Sequence, residues 1–155
     1  MFLKSFSRFL LSSFILLAAL SACAKKQVVK PSEESINAKH AVKDVGEMQA
    51  AYEAKDIKGV LSHVSQDYAR GYAELDTSLR KDFDAYDNIS IDLRVDRVEI
   101  EGDKVKVVTH WFGKWRDKLG KDHQARGNAD FVFRETGASF QLVDVVGDSP
   151  FGISR

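Results

Sequence analysis

Three side chains of this sequence have the types needed to move a proton on a small substrate: Tyr52, Asp76 and His110. A carboxylate in an apolar pocket can remove a proton beside a carbonyl when a Tyr hydroxyl and a neutral acid hold the developing oxyanion. In that scheme Tyr52 is the candidate hydroxyl donor, and Asp76, Asp130 and Asp144 are the candidate carboxylates, the last two on late strands. A His paired with an Asp would instead act as general base in the elimination of water, with His110 as first candidate and His63 as second. Each residue also has a structural reading. Tyr52 falls on the packing face of a helix, where a core Tyr with a satisfied hydroxyl is ordinary. Asp130 alternates with Ala129 and Phe131, which turns it outward. His110 sits between Val108 and Phe112 on a strand, where a single His is ordinarily a core or surface residue.

Other chemistries find less support. Trp111 and Trp115 share one strand face, and with Phe131, Phe133 and Phe140 they could line a pocket for an apolar ligand. The competing role is to fill the space between sheet and helices. His40, His63, His110 and His123 include no close pair at metal-ligand spacing, so no metal site is expected. There is no GxSxG nucleophile elbow and no phosphate-loop glycine pattern, and no cofactor is implied.

The only cysteine, Cys23, closes the run Leu20-Ser21-Ala22-Cys23. Lys4 and Arg8 precede an apolar stretch from Phe9 to Leu20, which is shorter than the roughly 20 residues of a spanning helix. The pattern resembles a bacterial lipoprotein signal, with Leu at −3, small residues at −2 and −1, and Cys at +1. That resemblance implies cleavage before Cys23, a diacylated thiol and an acylated new amino group. Two or more acyl chains hold a protein stably at a bilayer. An ordinary secretory signal is the alternative, but it leaves an unpaired cysteine to explain. Residues 24–32 are polar, basic and end near Pro31, as a short tether would. No Asp follows Cys23, which resembles a periplasm-facing outer-membrane lipoprotein more than one retained at the inner membrane.

Residues 1–22 carry two basic residues and no acidic one, so removing them leaves 21 basic against 23 acidic residues. That balance has no basic excess to hold a phosphate backbone and argues against nucleic acid. The expected organisation is a signal peptide over 1–22, a lipidated tether over 23–31 and one domain over 32–155.

The first half of that domain reads helical. Ser32 is placed to cap a helix with Glu33 and Glu34 in its first turn, and Ile36, Ala41, Val45, Met48 and Tyr52 recur on one face as far as about Lys55. Asp56 can cap a short second helix with Ile57, Val60, Leu61 and Val64 inward. A third helix is expected over Asp76 to Tyr86, with Leu79, Phe83 and Tyr86 inward. From Asn88 the period becomes two. Ile89, Ile91, Leu93 and Val95 alternate with polar residues until the parity flips at Asp96-Arg97, as a β-bulge would make it. Glu101-Gly102-Asp103-Lys104 is a hairpin turn signal. Val105, Val107, Thr109, Trp111, Gly113 and Trp115 then line one face of a strand, with Val108, His110 and Phe112 opposite. A third strand runs from Gln124 to Glu135 and a turn follows at 136–138. In the fourth strand Phe140, Leu142, Asp144 and Val146 alternate with Gln141, Val143 and Val145. Helices followed by hairpin-linked strands predict an α+β fold, with the helices packed on one face of a strongly curved antiparallel sheet of about four strands.

The order of elements resembles the nuclear transport factor 2-like superfamily, also called cystatin-like. Met48 to Asp56 resembles the end of its first helix, and Ile57 to Val64 its second. Gly127 to Leu142 resembles its final hairpin, with Phe140 where many relatives have Trp. The resemblance implies a cone, in which a bent sheet closes around a pocket capped by helices. It places Tyr52 where a catalytic Tyr can sit. The superfamily includes ketosteroid isomerases, scytalone dehydratases, polyketide cyclases and domains that only bind. Gly147 to Gly152 resembles a closing segment of lipoprotein relatives; from its residues alone it is a turn that tucks Phe151 against the domain.

The reading that follows is a membrane-anchored envelope lipoprotein, attached by lipid on Cys23. Its domain binds a small apolar ligand or an envelope protein without catalysis, with Tyr52, Trp111, Trp115, Phe131 and Phe133 as the ligand-binding residues. Two alternatives stay open. One is an isomerase or dehydratase using Tyr52, Asp76 or His110. The other is an assembly protein that forms a homodimer through the outer sheet face at Val108 and Phe112.

Overall fold

The computed structural model describes residues 32–136 and 139–153. The signal, Cys23, the tether to Pro31 and part of the 136–138 turn lie outside the described residues. Helix α1 covers Glu33–Glu53, α2 Ile57–Leu61 and α3 Tyr72–Ala85. Four strands follow: β1 Tyr86–Glu101, β2 Lys104–Asp117, β3 Asp122–Thr136 and β4 Ser139–Gly147. They form one antiparallel sheet in the order β1-β2-β3-β4. This is the α+β architecture that the change of period implies.

The helix signals act as their chemistry requires. The Ser32 hydroxyl accepts from the Ser35 amide at 3.2 Å, and the Asp56 carboxylate accepts from the Gly59 amide at 3.0 Å. Ala41, Val45, Met48 and Tyr52 are buried, whereas Ile36 at the entry to α1 is 41% exposed. Helix α3 begins four residues before the expected Asp76. Gly71 is its N-cap, and Leu75 joins Leu79 on the buried face.

The sheet's concave side follows the alternation in β2, where Val105, Val107, Thr109, Trp111 and Trp115 are all buried. Gly113 continues that face because the Trp115 ring lies across it; a Cβ there would sit 2.1 Å from the ring. Ala129, Phe131 and Phe133 supply the matching face of β3. The parity flip in β1 is a register shift between Val95 and Arg97. A second shift, between Val132 and Phe133 opposite Val143, corrects the expected alternation of β4. Because of that bulge, Leu142 and Val145 both face the core although their spacing is odd.

Each sheet edge is met by the helical half of the chain at a local point. At β1 the Gln49 amide donates to the Ile91 carbonyl, and the Ile91 amide donates to Glu53, each at 2.6 Å. At β4 the segment after α2 pairs with Leu142: the Ser65 amide donates to its carbonyl at 2.9 Å, and its amide donates to the His63 carbonyl at 2.7 Å. Ordinary edge-to-edge pairing is thus blocked at these points. Among the described residues no helix is long and apolar enough to cross a membrane.

Candidate functional site

Tyr52 projects from the last turn of α1 into the centre of the domain. Its hydroxyl donates to Asp82 of α3, and Nε1 of Trp115 donates to it at 3.2 Å. The Gly152 backbone also hydrogen-bonds it. A phenol offers one donor and two acceptor sites, so these three bonds use its whole capacity. Burial first, then the neighbouring Asp82, raises the Tyr52 pKa far above the ordinary Tyr value and keeps it protonated. Asp82 is fully buried and accepts from the Ile153 amide at 2.9 Å as well.

The C-terminal segment makes this arrangement. The chain leaves β4 through Gly147 at φ 91°, where a Cβ would meet the Asn128 carbonyl at 2.5 Å. The Asp148 carbonyl accepts from Trp111 Nε1 at 2.7 Å, and the Asp148 amide donates to the Asn128 carbonyl at 2.8 Å. Phe151 is then carried inward. It is 4% exposed, with its ring 5.1 Å from that of Tyr52 and 5.9 Å from that of Phe131. The sequence-level expectation that Phe151 tucks against the domain holds.

Beside this segment lies a cleft of about 340 Å³, bounded by α3, the loop before it and the ends of β2 and β3. Trp111 and Tyr68 form apolar walls, and Arg70, Glu74, Arg126 and Asp148 bring charge of both signs. Arg70 is held by donating to the Gly147 carbonyl at 3.1 Å. Burial pushes the Tyr68 hydroxyl up to about 12, so it enters the cleft as a neutral phenol. Two guanidinium groups, two carboxylates and two aromatic rings around a space of this size can hold a small molecule with an apolar body and an ionised group.

The residues proposed from sequence are distributed unevenly around this cleft. Trp111 lines it, whereas Tyr52, Trp115, Phe131 and Phe133 are fully buried in the core and do not line it. Asp76 pairs with Arg80 at 3.0 Å on α3, and is not among the cleft's lining residues. His110 lies on the opposite sheet face, half exposed, with Nδ1 2.7 Å from Asp96. It does not face the concave side that a general base would need. His63 lies just beyond α2 rather than on it, near Asp44. Asp130 is opposite Val108 and Val146, and Asp144 is opposite Val132. Asp82, Arg70 and Arg126 were not singled out from the sequence. Asp82 had a signal, since it interrupts the apolar stripe of Leu75, Leu79 and Phe83. The two arginines had none, because surface arginines are common and only the folded chain brings them together.

The assembly face is mixed rather than apolar. Val108 is buried by its own neighbours, and Phe112 is 38% exposed with Lys114 Nζ 5.5 Å from its ring centroid. The Arg97, Glu99 and Lys106 ladder runs beside them, with contacts of 2.6 and 2.5 Å.

No protein-family model matches the sequence, and no curated protein matches it. Solved structures do match the fold. A nuclear transport factor 2-like superfamily protein from Salmonella enterica superposes with a TM-score of 0.63 at 11% identity, covering 76% of this chain and 93% of its own. A proposed dehydratase of the same superfamily from Streptomyces avermitilis gives 0.62 at 16% identity, covering 72% and 95%. A conserved protein from Planctomyces limnophilus gives 0.65 at 16% identity, covering 73% and 98%. At these identities the likeness defines the fold, which is the nuclear transport factor 2-like α+β fold, and not an activity.

Proposed function

We propose that this chain is a bacterial envelope lipoprotein, anchored through acylated Cys23 and facing the periplasm from the outer membrane. Its domain binds a small ligand without transforming it. The observation that carries the binding reading is the state of the Tyr52 hydroxyl. Its donor and both acceptor sites are used inside the protein, and Phe151 separates it from the open cleft. A group so occupied is a structural centre rather than an oxyanion donor. The cleft beside it keeps its charged groups toward water, which favours recognition over proton transfer. The apolar ligand expected from the aromatic content gains a requirement: an ionised group to meet Arg70 or Arg126, with Trp111 and Tyr68 against its apolar part.

Native mass spectrometry of the detergent-extracted full chain tests the binding reading. A co-purifying small molecule that leaves on denaturation, and is absent from an Arg126→Glu variant, supports it. Ligand-free protein in every growth condition tried, together with turnover of carbonyl substrates that Tyr52→Phe abolishes, would reverse it. The anchor is tested separately. Fatty-acid labelling and membrane fractionation should both be lost in Cys23→Ser.

A further inference from the structure

Asp44 and Glu47 stand three residues apart on α1, so the helix turns both carboxylates to one side. His63 reaches them from the segment after α2. Its backbone is fixed there, the amide donating to the Val60 carbonyl at 3.3 Å and the carbonyl accepting from the Leu142 amide at 2.7 Å. The imidazole lies with Nδ1 3.4 Å from Asp44 Oδ1 and Nε2 3.8 Å from Glu47 Oε2. One ligand atom from each residue falls within 4.8 Å of the other two. We propose that Asp44, Glu47 and His63 form a site for a divalent transition-metal ion, with zinc the best fit, that clips α1 to the segment following α2.

The spacing suits an ion better than direct bonds. Separations of 3.4 and 3.8 Å are long for hydrogen bonds. An imidazole gives an ion only one of its nitrogens, so the ligand set is one atom from each residue, all within 4.8 Å of one another, against an edge of about 3.3 Å for a tetrahedron of ligands around zinc. Closing a separation of 4.8 Å to that edge asks for a shift of about 1.5 Å, which rotation of the half-exposed Glu47 side chain can supply. The donor set points the same way, since an imidazole favours zinc over calcium or magnesium, which prefer oxygen. Asp44 has only 17% of its side chain exposed, and its burial, the largest influence on it, pushes its carboxyl up. A cation at this point would offset that cost. Lys43 holds Glu47 Oε1 at 2.6 Å from the rim and leaves Oε2 on the His63 side. His40, one turn before Asp44 on the same helix, is near enough to act on its charge and is a further donor.

Zinc titration of the full chain, stripped with a chelator and read by competition with a chromophoric chelator, tests the site. One ion per chain is expected to bind, roughly tenfold or more weakly in His63→Ala and in Asp44→Asn. His123→Ala, whose imidazole meets Asp117 at 2.8 Å, should leave binding unchanged. Zinc should raise the thermal midpoint of the full chain but not of Asp44→Asn or Glu47→Gln. Those two near-isosteric changes are first shown by circular dichroism to keep the fold. Absence of binding below millimolar zinc would overturn the proposal. So would binding that persists in both His63→Ala and Asp44→Asn, since the ion would then sit elsewhere, for example at Cys23.

Discussion

Two polar regions meet the same C-terminal segment and use it in opposite ways. On the inner side, Tyr52, Asp82, Trp115 and the amides of Gly152 and Ile153 saturate one another in a buried knot. On the outer side, Arg70, Glu74, Arg126 and Asp148 surround a cleft open to water. Phe151 is the partition. A polar group without a partner is costly when buried and inexpensive when solvated. The inner region is therefore built for stability, and only the outer region can keep unfilled capacity for a ligand.

The most disruptive way to break this contrast is to remove the partition. Phe151→Ala should cost about 3–5 kcal/mol, from lost burial and the cavity left between Tyr52 and Phe131. Urea unfolding measures the loss. Binding of an apolar dye by the variant alone would show that the core has become continuous with the cleft. Asp82→Ala should follow at about 3 kcal/mol, because it strands the Tyr52 hydroxyl and the Ile153 amide. A loss well under about 1 kcal/mol would mean that the knot is not a structural centre.

Tyr52→Phe should cost about 1–2 kcal/mol at neutral pH and alter the alkaline limb. The folded state raises the Tyr52 pKa above its unfolded value near 10. Its contribution is complete below that value and falls as pH rises beyond it, when the unfolded chain ionises and the folded one does not. Stability against pH from 9 to about 11.5 should therefore decline less steeply in Tyr52→Phe than in the wild type. Arg126→Ala sharpens the comparison from the other side. The exposed side chain makes no ion pair among the described residues. The unfolding midpoint should stay unchanged while ligand retention in native mass spectrometry falls.

Much of the scaffold was legible in local pattern. The concave face of β2 follows strict alternation, because successive side chains on a strand must face opposite ways. The bulge at Asp96-Arg97 was visible because it shifts a long apolar series by one position. The bulge at Val143 was not. There Leu142, Val143, Val145 and Val146 are all apolar, so no series is broken. The start of α3 at Tyr72 is not marked in the sequence, because Gly71 reads as a loop residue and makes no side-chain cap.

The site divides along the same line. The aromatic residues are visible as a set, but composition cannot separate Trp111, which lines the cleft, from Trp115, Phe131 and Phe133, which are buried in the core. The sequence by itself determined the α+β order, the helix caps and the face of β2, since each depends on residues close together in the chain. Tertiary structure alone decided that Tyr52 is saturated, that Asp82 is its partner, that Arg70 and Arg126 meet at one cleft, and that His63 stands beside Asp44 and Glu47. Those are meetings of residues remote in sequence. They depend on where Gly147 sends the last segment and on where β4 holds the segment after α2.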